Sequence, residues 1–177
     1  MLKQLQSLDA ALSLRLTLSP DSMGQQIARI IAHVGDGQYV FGMLGLIYLL
    51  GWLKWDQLLR WVTLVVALKV GIAILVVMLV KFAVRRQRPR PPGEFVAFRY
   101  DVYSFPSGHS ARLAALTIST AFVYPPGGWF LGIITLLVGA ARIAVGVHYV
   151  SDVLVGLGLG TFVAWFLTWL TPYYLSP

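Results

Sequence analysis

The sequence predicts an all-α fold, a polytopic bundle of transmembrane helices, and two observations carry that prediction. Hydrophobic residues make up 58% of the chain and charged ones 12%, with a mean hydropathy of +0.74, a balance foreign to soluble globular domains. Three stretches, residues 61–80, 128–147 and 153–170, each approach the roughly 20 apolar residues needed to cross a hydrocarbon core. Residues 38–53 and 110–124 are shorter candidates. The expected count is five spans, or six if the N-terminal region also crosses, within one membrane-embedded domain covering residues 1–177.

Taken in order, residues 2–18 place Leu2, Leu5, Leu8, Leu12 and Leu16 at three- and four-residue spacing, the pattern of an amphipathic helix lying in the interface. Asp9 and Arg15 interrupt its apolar positions, so it lacks the core of a cleavable signal peptide. "SPDS" ends it. A weakly amphipathic stretch, residues 25–33, follows and closes on the turn signal "GDG" at 35–37. Residues 1–34 are expected to lie on the membrane rather than cross it. "LKWDQLLR" (53–60) joins the first two spans, "YPPGG" (124–128) reverses the chain between later ones, and almost nothing separates the last two. The one sizeable loop, 85–105, has an Arg-rich start, three prolines and the aromatics Phe95, Phe98, Tyr100, Tyr103 and Phe105. Long loops in compact domains are usually functional.

The formal charge of +7 suggests nucleic acid until the cations are placed: "KFAVRRQRPR" (81–90) alone holds five of the fourteen. The charge is local, and no nucleic-acid partner is expected. With no cysteine, disulfides and thiolate chemistry are excluded. Three histidines and seven acidic residues contain no HExxH or paired-carboxylate pattern, so neither a metal nor another cofactor is expected.

If the spans alternate, Lys81, Arg88, His109, Arg142, His148 and Asp152 reach one membrane face. Ionisable groups converging in a membrane protein mark a site. Lys81 and Arg88 are two helical turns apart, about 10 Å along the axis, with Pro89 ending the helix. "SFPSGHS" (104–110) reads as a helix start with Ser104 as a cap and Pro106 in the first turn; N–H groups around Ser107, Gly108 and His109 suit an anion. Arg142 and His148 would point about 120° apart on one helix, and Gly146 permits a break that brings them together. His148 and Asp152 stand i, i+4, so the carboxylate can fix the ring's tautomer. Singly, each stretch has an ordinary structural reading: snorkelling cations, a turn, a buried acid–base pair.

Together, Lys81-x6-Arg88-Pro89, Pro106-Ser107-Gly108-His109 and Arg142-x5-His148-x3-Asp152 resemble the signature of the type 2 phosphatidic acid phosphatase family, with residues 81–152 as the motif-bearing core. One position departs: the family commonly has Ser before the third-motif Arg, and Ala141 stands there. The resemblance implies a lipid phosphatase in which His148 is the nucleophile, Asp152 orients it, and His109 protonates the leaving oxygen and then activates water. Lys81, Arg88, Arg142, Ser107 and the Gly108 N–H would hold the phosphate. Arg85, Arg86 and Arg90 are left to attract anionic lipid. The implied substrates are phosphatidylglycerophosphate, phosphatidate, undecaprenyl pyrophosphate or lipid A phosphate. A phosphotransferase with the same residues, or a non-enzymatic binder of anionic lipid, are the alternatives. The positive-inside rule would place the Arg-rich loop in the cytoplasm, whereas the resemblance implies a site on the outer face of the cytoplasmic membrane. Arg112 could join the phosphate site or face headgroups, and Lys69 within the second span has no partner evident in the sequence.

Overall fold

The computed structural model describes residues 2–90 and 102–170, which form seven α-helices and no strand. In chain order these are α1 (Leu2–Leu16), α2 (Met23–Val34), α3 (Gly37–Leu53), α4 (Gln57–Val84), α5 (Gly108–Val123), α6 (Pro125–Ala144) and α7 (Val150–Leu170). Helices α4, α6 and α7 are long and apolar enough to cross a membrane, and α2 with α3 forms a fourth candidate bent by 45°. With the 16-residue α5 at their centre, the five expected spans are all present as helices.

Local chemistry sets several boundaries. Ser22 caps α2, its Oγ accepting from the Gln25 N–H, and Asp56 caps α4 by accepting from the Leu59 N–H. Pro125 stands in the first turn of α6, where its missing N–H removes no helical bond. Helix α4 ends four residues earlier than Arg88: Arg85 adopts the left-handed conformation at φ 53° and returns its N–H to the Lys81 carbonyl. Lys81 and Arg88 therefore do not share one continuous helix, because the chain must turn back for Arg86 to enter the protein.

Helix α5 packs against α4, α6 and α7. Its approach to α7 is set by Gly156 and Gly160, one turn apart. A Cβ on Gly160 would lie 2.0 Å from the Ala111 carbonyl oxygen, and one on Gly156 would lie 2.5 Å from that of Ser107. Such backbone contact is available only to glycine, the small-residue packing used where lipid supplies no hydrophobic drive. Val70, Val77, Val138 and Ala164 fill the interior. Outward, Leu68, Leu75, Leu79, Ile133, Leu136 and Phe162 are more than half exposed, a surface suited to acyl chains.

The chain is thus an integral membrane protein. All six tryptophans, at 52, 55, 61, 129, 165 and 169, lie toward the ends of helices remote from Lys81 and His148, as an aromatic belt at one interface. Helix α1 keeps Leu5, Leu8, Leu12 and Leu16 exposed while Ser13 is buried. Helix α2 packs Ala28 and Ala32 against Ala141 and Val145 at the end of α6. Lys69 donates to Thr168 Oγ1 at 2.8 Å, tying α4 to α7.

Candidate active site

Three chain segments meet at the end of the bundle where α4 and α6 finish and α5 and α7 begin. Lys81, Ser107, His109, Arg142, His148 and Asp152 are all buried there, with Arg88 and Gly108 partly so. The break expected at Gly146 is present: α6 stops at Ala144, Gly146 has φ 85°, and His148 stands in the short turn before α7. A Cβ there would meet the Arg90 and Thr17 side chains at about 3 Å. Lys81 Nζ donates to the Tyr103 carbonyl at 2.7 Å and so holds the segment entering α5. Of the loop aromatics, Phe95, Phe98 and Tyr100 lie outside the described residues; the Tyr103 ring meets Phe82 edge to face.

The start of α5 corrects two expectations. The cap is Ser107, not Ser104, with Ser107 Oγ accepting from both the N–H and the hydroxyl of Ser110. Ser104 is buried upstream, its hydroxyl donating to the Gln87 carbonyl, because it fastens the returning chain to the residues after α4. The Ser107 N–H is not available to an anion, since it donates to the main-chain carbonyl of Asp152 at 2.8 Å. That bond locks the first turn of α5 to the first turn of α7.

His148 Nδ1 faces Asp152 Oδ2 at 3.5 Å, while that oxygen accepts the Tyr149 N–H at 2.8 Å. The other carboxylate oxygen accepts from Arg86 Nη1 at 2.8 Å. Arg86 was expected to recruit lipid, yet it is a bracket inside the protein. Its Nη1 also donates to Ser151 Oγ, its Nη2 donates to Asp9 Oδ2 at 2.7 Å, and its guanidinium stacks 3.8 Å over Tyr149. Asp9 in turn accepts from the Ser151 N–H and hydroxyl. Arg90 likewise turns inward, its N–H donating to Gly146 and its side chain to Leu18. The N-terminal helix thus reaches the carboxylate beside His148 through one arginine.

His109 has its own carboxylate. Its Nε2 lies 2.6 Å from Asp36 Oδ1, and the second oxygen of Asp36 lies 2.9 Å from His33 Nδ1. Arg112 turns to the bend between α2 and α3, where both its Nε and Nη2 donate to the Gly35 carbonyl. Ala141, where the family commonly has serine, is buried against α2, a contact that favours a small apolar side chain.

Burial pushes the His148 ring well below its ordinary value of 6.5, and the positive charges of Arg142, Arg88 and Lys81 push the same way. The imidazole is neutral at neutral pH, with a lone pair to offer. At Asp9 burial works upward, but hydrogen bonds from Ser151 and Arg86 outweigh it and hold the carboxyl below its ordinary 3.8. Neutral imidazole, fixed carboxylate and gathered cations suit attack on a tetrahedral anion. Sequence reasoning missed Asp36 and gave Asp9 and Arg86 other roles. The available signals were an acid between two glycines, and an acid within an apolar helical stripe.

Comparison with known proteins agrees with this architecture. The PAP2 superfamily model matches residues 59–175. The phosphatidylglycerophosphatase B of Bacillus subtilis is 30% identical over 88% of this chain and 79% of its own length. A lipid A 1-phosphatase of Rhizobium johnstonii is 34% identical over 50% of this chain, an alignment that spans 38% of that relative. Among solved structures, that of a transmembrane PAP2-type phosphatidylglycerolphosphate phosphatase from Bacillus subtilis superposes with a TM-score of 0.79 at 26% identity, covering 96% of this chain and 87% of that one. By sequence and by fold, then, this chain belongs to the PAP2 superfamily.

Proposed function

We propose that this single domain is a membrane lipid phosphatase that hydrolyses a phosphate monoester or pyrophosphate of a lipid through a phosphohistidine, without a metal. The observation that carries this reading is His148: buried, neutral, beside a bracketed Asp152, and flanked by the charges of Arg142, Arg88 and Lys81. The relatives named above support the lipid phosphate class.

In this reading the lipid phosphate enters between the three cations and the first turn of α5. His148 Nε2 attacks phosphorus while Asp152 supports the charge developing on the ring. His109 gives a proton to the departing lipid oxygen. It then takes one from the water that attacks the phosphohistidine, so that phosphate leaves and both histidines return to their starting state. Lys81, Arg88, Arg142, the Ser107 hydroxyl and the Gly108 N–H hold the equatorial oxygens, supplying the charge stabilisation phosphoryl transfer requires. Arg86 and Arg90 are committed within the protein, which weakens them as topology markers and favours a site on the outer face of the cytoplasmic membrane.

The test is phosphate release by detergent-purified protein with EDTA, using phosphatidylglycerophosphate, phosphatidate, undecaprenyl pyrophosphate and lipid A phosphate in parallel. Release that survives EDTA is expected, with phosphatidylglycerophosphate the first substrate to try. Release from none of the four, or release abolished by EDTA, would overturn the reading.

A further inference from the structure

We infer that Asp36, at the bend between α2 and α3, is the positioning carboxylate of the proton-transfer histidine, so that the site contains a second carboxylate–imidazole pair beside Asp152 and His148. Asp36 stands at the N-cap of α3, where a carboxylate ordinarily accepts an N–H of its own helix. It makes no such side-chain bond. Both oxygens turn instead to imidazoles, Oδ1 to His109 Nε2 at 2.6 Å and Oδ2 to His33 Nδ1 at 2.9 Å.

The bend is fitted to that purpose. A Cβ on Gly35 would meet the His109 ring at 3.2 Å and Leu113 at 3.0 Å, so a larger residue at the bend would press on the histidine. Arg112, one turn along α5 from His109, fastens the Gly35 carbonyl and leaves Gly37 facing its guanidinium. His33 occupies the second oxygen, which fixes the plane of the carboxylate.

The chemistry follows from which ring nitrogen is engaged. With Nε2 donating to Asp36, proton exchange with the substrate passes through Nδ1. Protonated His109 gives its Nδ1 proton to the ester oxygen as the P–O bond breaks and the bond from His148 nitrogen to phosphorus forms. Neutral His109 keeps its Nε2–H on Asp36 and accepts, at Nδ1, the proton of the water that displaces His148. Asp36 holds the tautomer throughout and stabilises the imidazolium, acting through His109 rather than on the substrate.

This inference rests on the proposed role of His109, and the experiment separates the two. The full chain and its Asp36→Asn and His109→Ala variants are assayed for kcat/KM on an alkyl ester, phosphatidylglycerophosphate, and on 4-nitrophenyl phosphate, whose leaving group departs without a proton. Asp36→Asn is expected to lose about 10- to 100-fold on the alkyl ester and under about 3-fold on the aryl one, with part of the loss restored in Asp36→Glu. Equal losses on both esters, or none on either, would reduce Asp36 to a structural residue and overturn the inference. His109→Ala should discriminate in the same sense; if it does not, the acid role of His109 fails first. A measurement on the unmodified chain guards against misfolding of the variants. In 15N-histidine NMR spectra, assigned with His33→Gln, neutral His109 should carry its proton on Nε2, and a proton on Nδ1 would equally overturn the inference.

Discussion

Replacing Arg86 with alanine tests whether the arginine bracket sets up the nucleophile. The guanidinium donates to Asp152, Ser151 and Asp9, and Asp152 is 0% exposed, so the truncation strands a buried carboxylate. Breaking a buried pair from one side costs about 3–5 kcal/mol. The Arg86 side chain is 20% exposed, and screening there reduces this to about 2–3 kcal/mol. If that loss falls on the orientation of Asp152, kcat drops by about 30- to 150-fold. KM should change little, because Arg86 does not hold the phosphate. Arg86→Lys should fall between, since an ammonium keeps the charge but cannot fork between two carboxylates. The assay is phosphate release from a lipid substrate in mixed micelles, with kcat and KM resolved. An Arg86→Ala enzyme within about 3-fold of wild-type kcat, or one impaired in KM alone, would refute the bracket and restore Arg86 as a lipid-recruiting cation.

Other consequences are as direct. Gly160→Ala drives a methyl onto the Ala111 carbonyl and should cost about 1–3 kcal/mol or more, lowering the thermal midpoint in detergent by several degrees; Gly158→Ala, with nothing within 4 Å, should be silent. The depressed His148 keeps its ring neutral as pH falls past 6.5, so its NMR titration midpoint in the unliganded protein should lie well below that value, and a midpoint at or above 6.5 would contradict the burial argument. Lys69→Met should retain activity and heat stability, because Thr168 keeps its bond to the Ala164 carbonyl and an apolar side chain suits the membrane; inactivation would assign Lys69 a role beyond packing.

Much of this was legible because the pattern is local. The spans follow from apolar runs, and the break before His148 follows from Gly146 between two residues that one helix would point apart. The end of α4 was not legible. Pro89 marks a boundary by sterics, whereas the true end at Val84 is dictated by Arg86 entering a network whose other members come from α1 and α7. Ser104 reads as the cap in the sequence, and only its contact with the residues after α4, and that of Ser107 with Asp152, give the role to Ser107 instead. Asp36 lay hidden for the same reason: its partner His109 is 73 residues away, and no periodicity encodes such a distance.

The most direct test of the central claim is to trap the phosphoenzyme. Turnover of a 32P-labelled lipid phosphate, quenched within milliseconds at alkaline pH, should leave label on the protein that survives base, is lost in acid, and maps to the peptide containing His148. His148→Ala should carry none. Label on a different residue, or turnover by His148→Ala at the wild-type rate, would contradict the account.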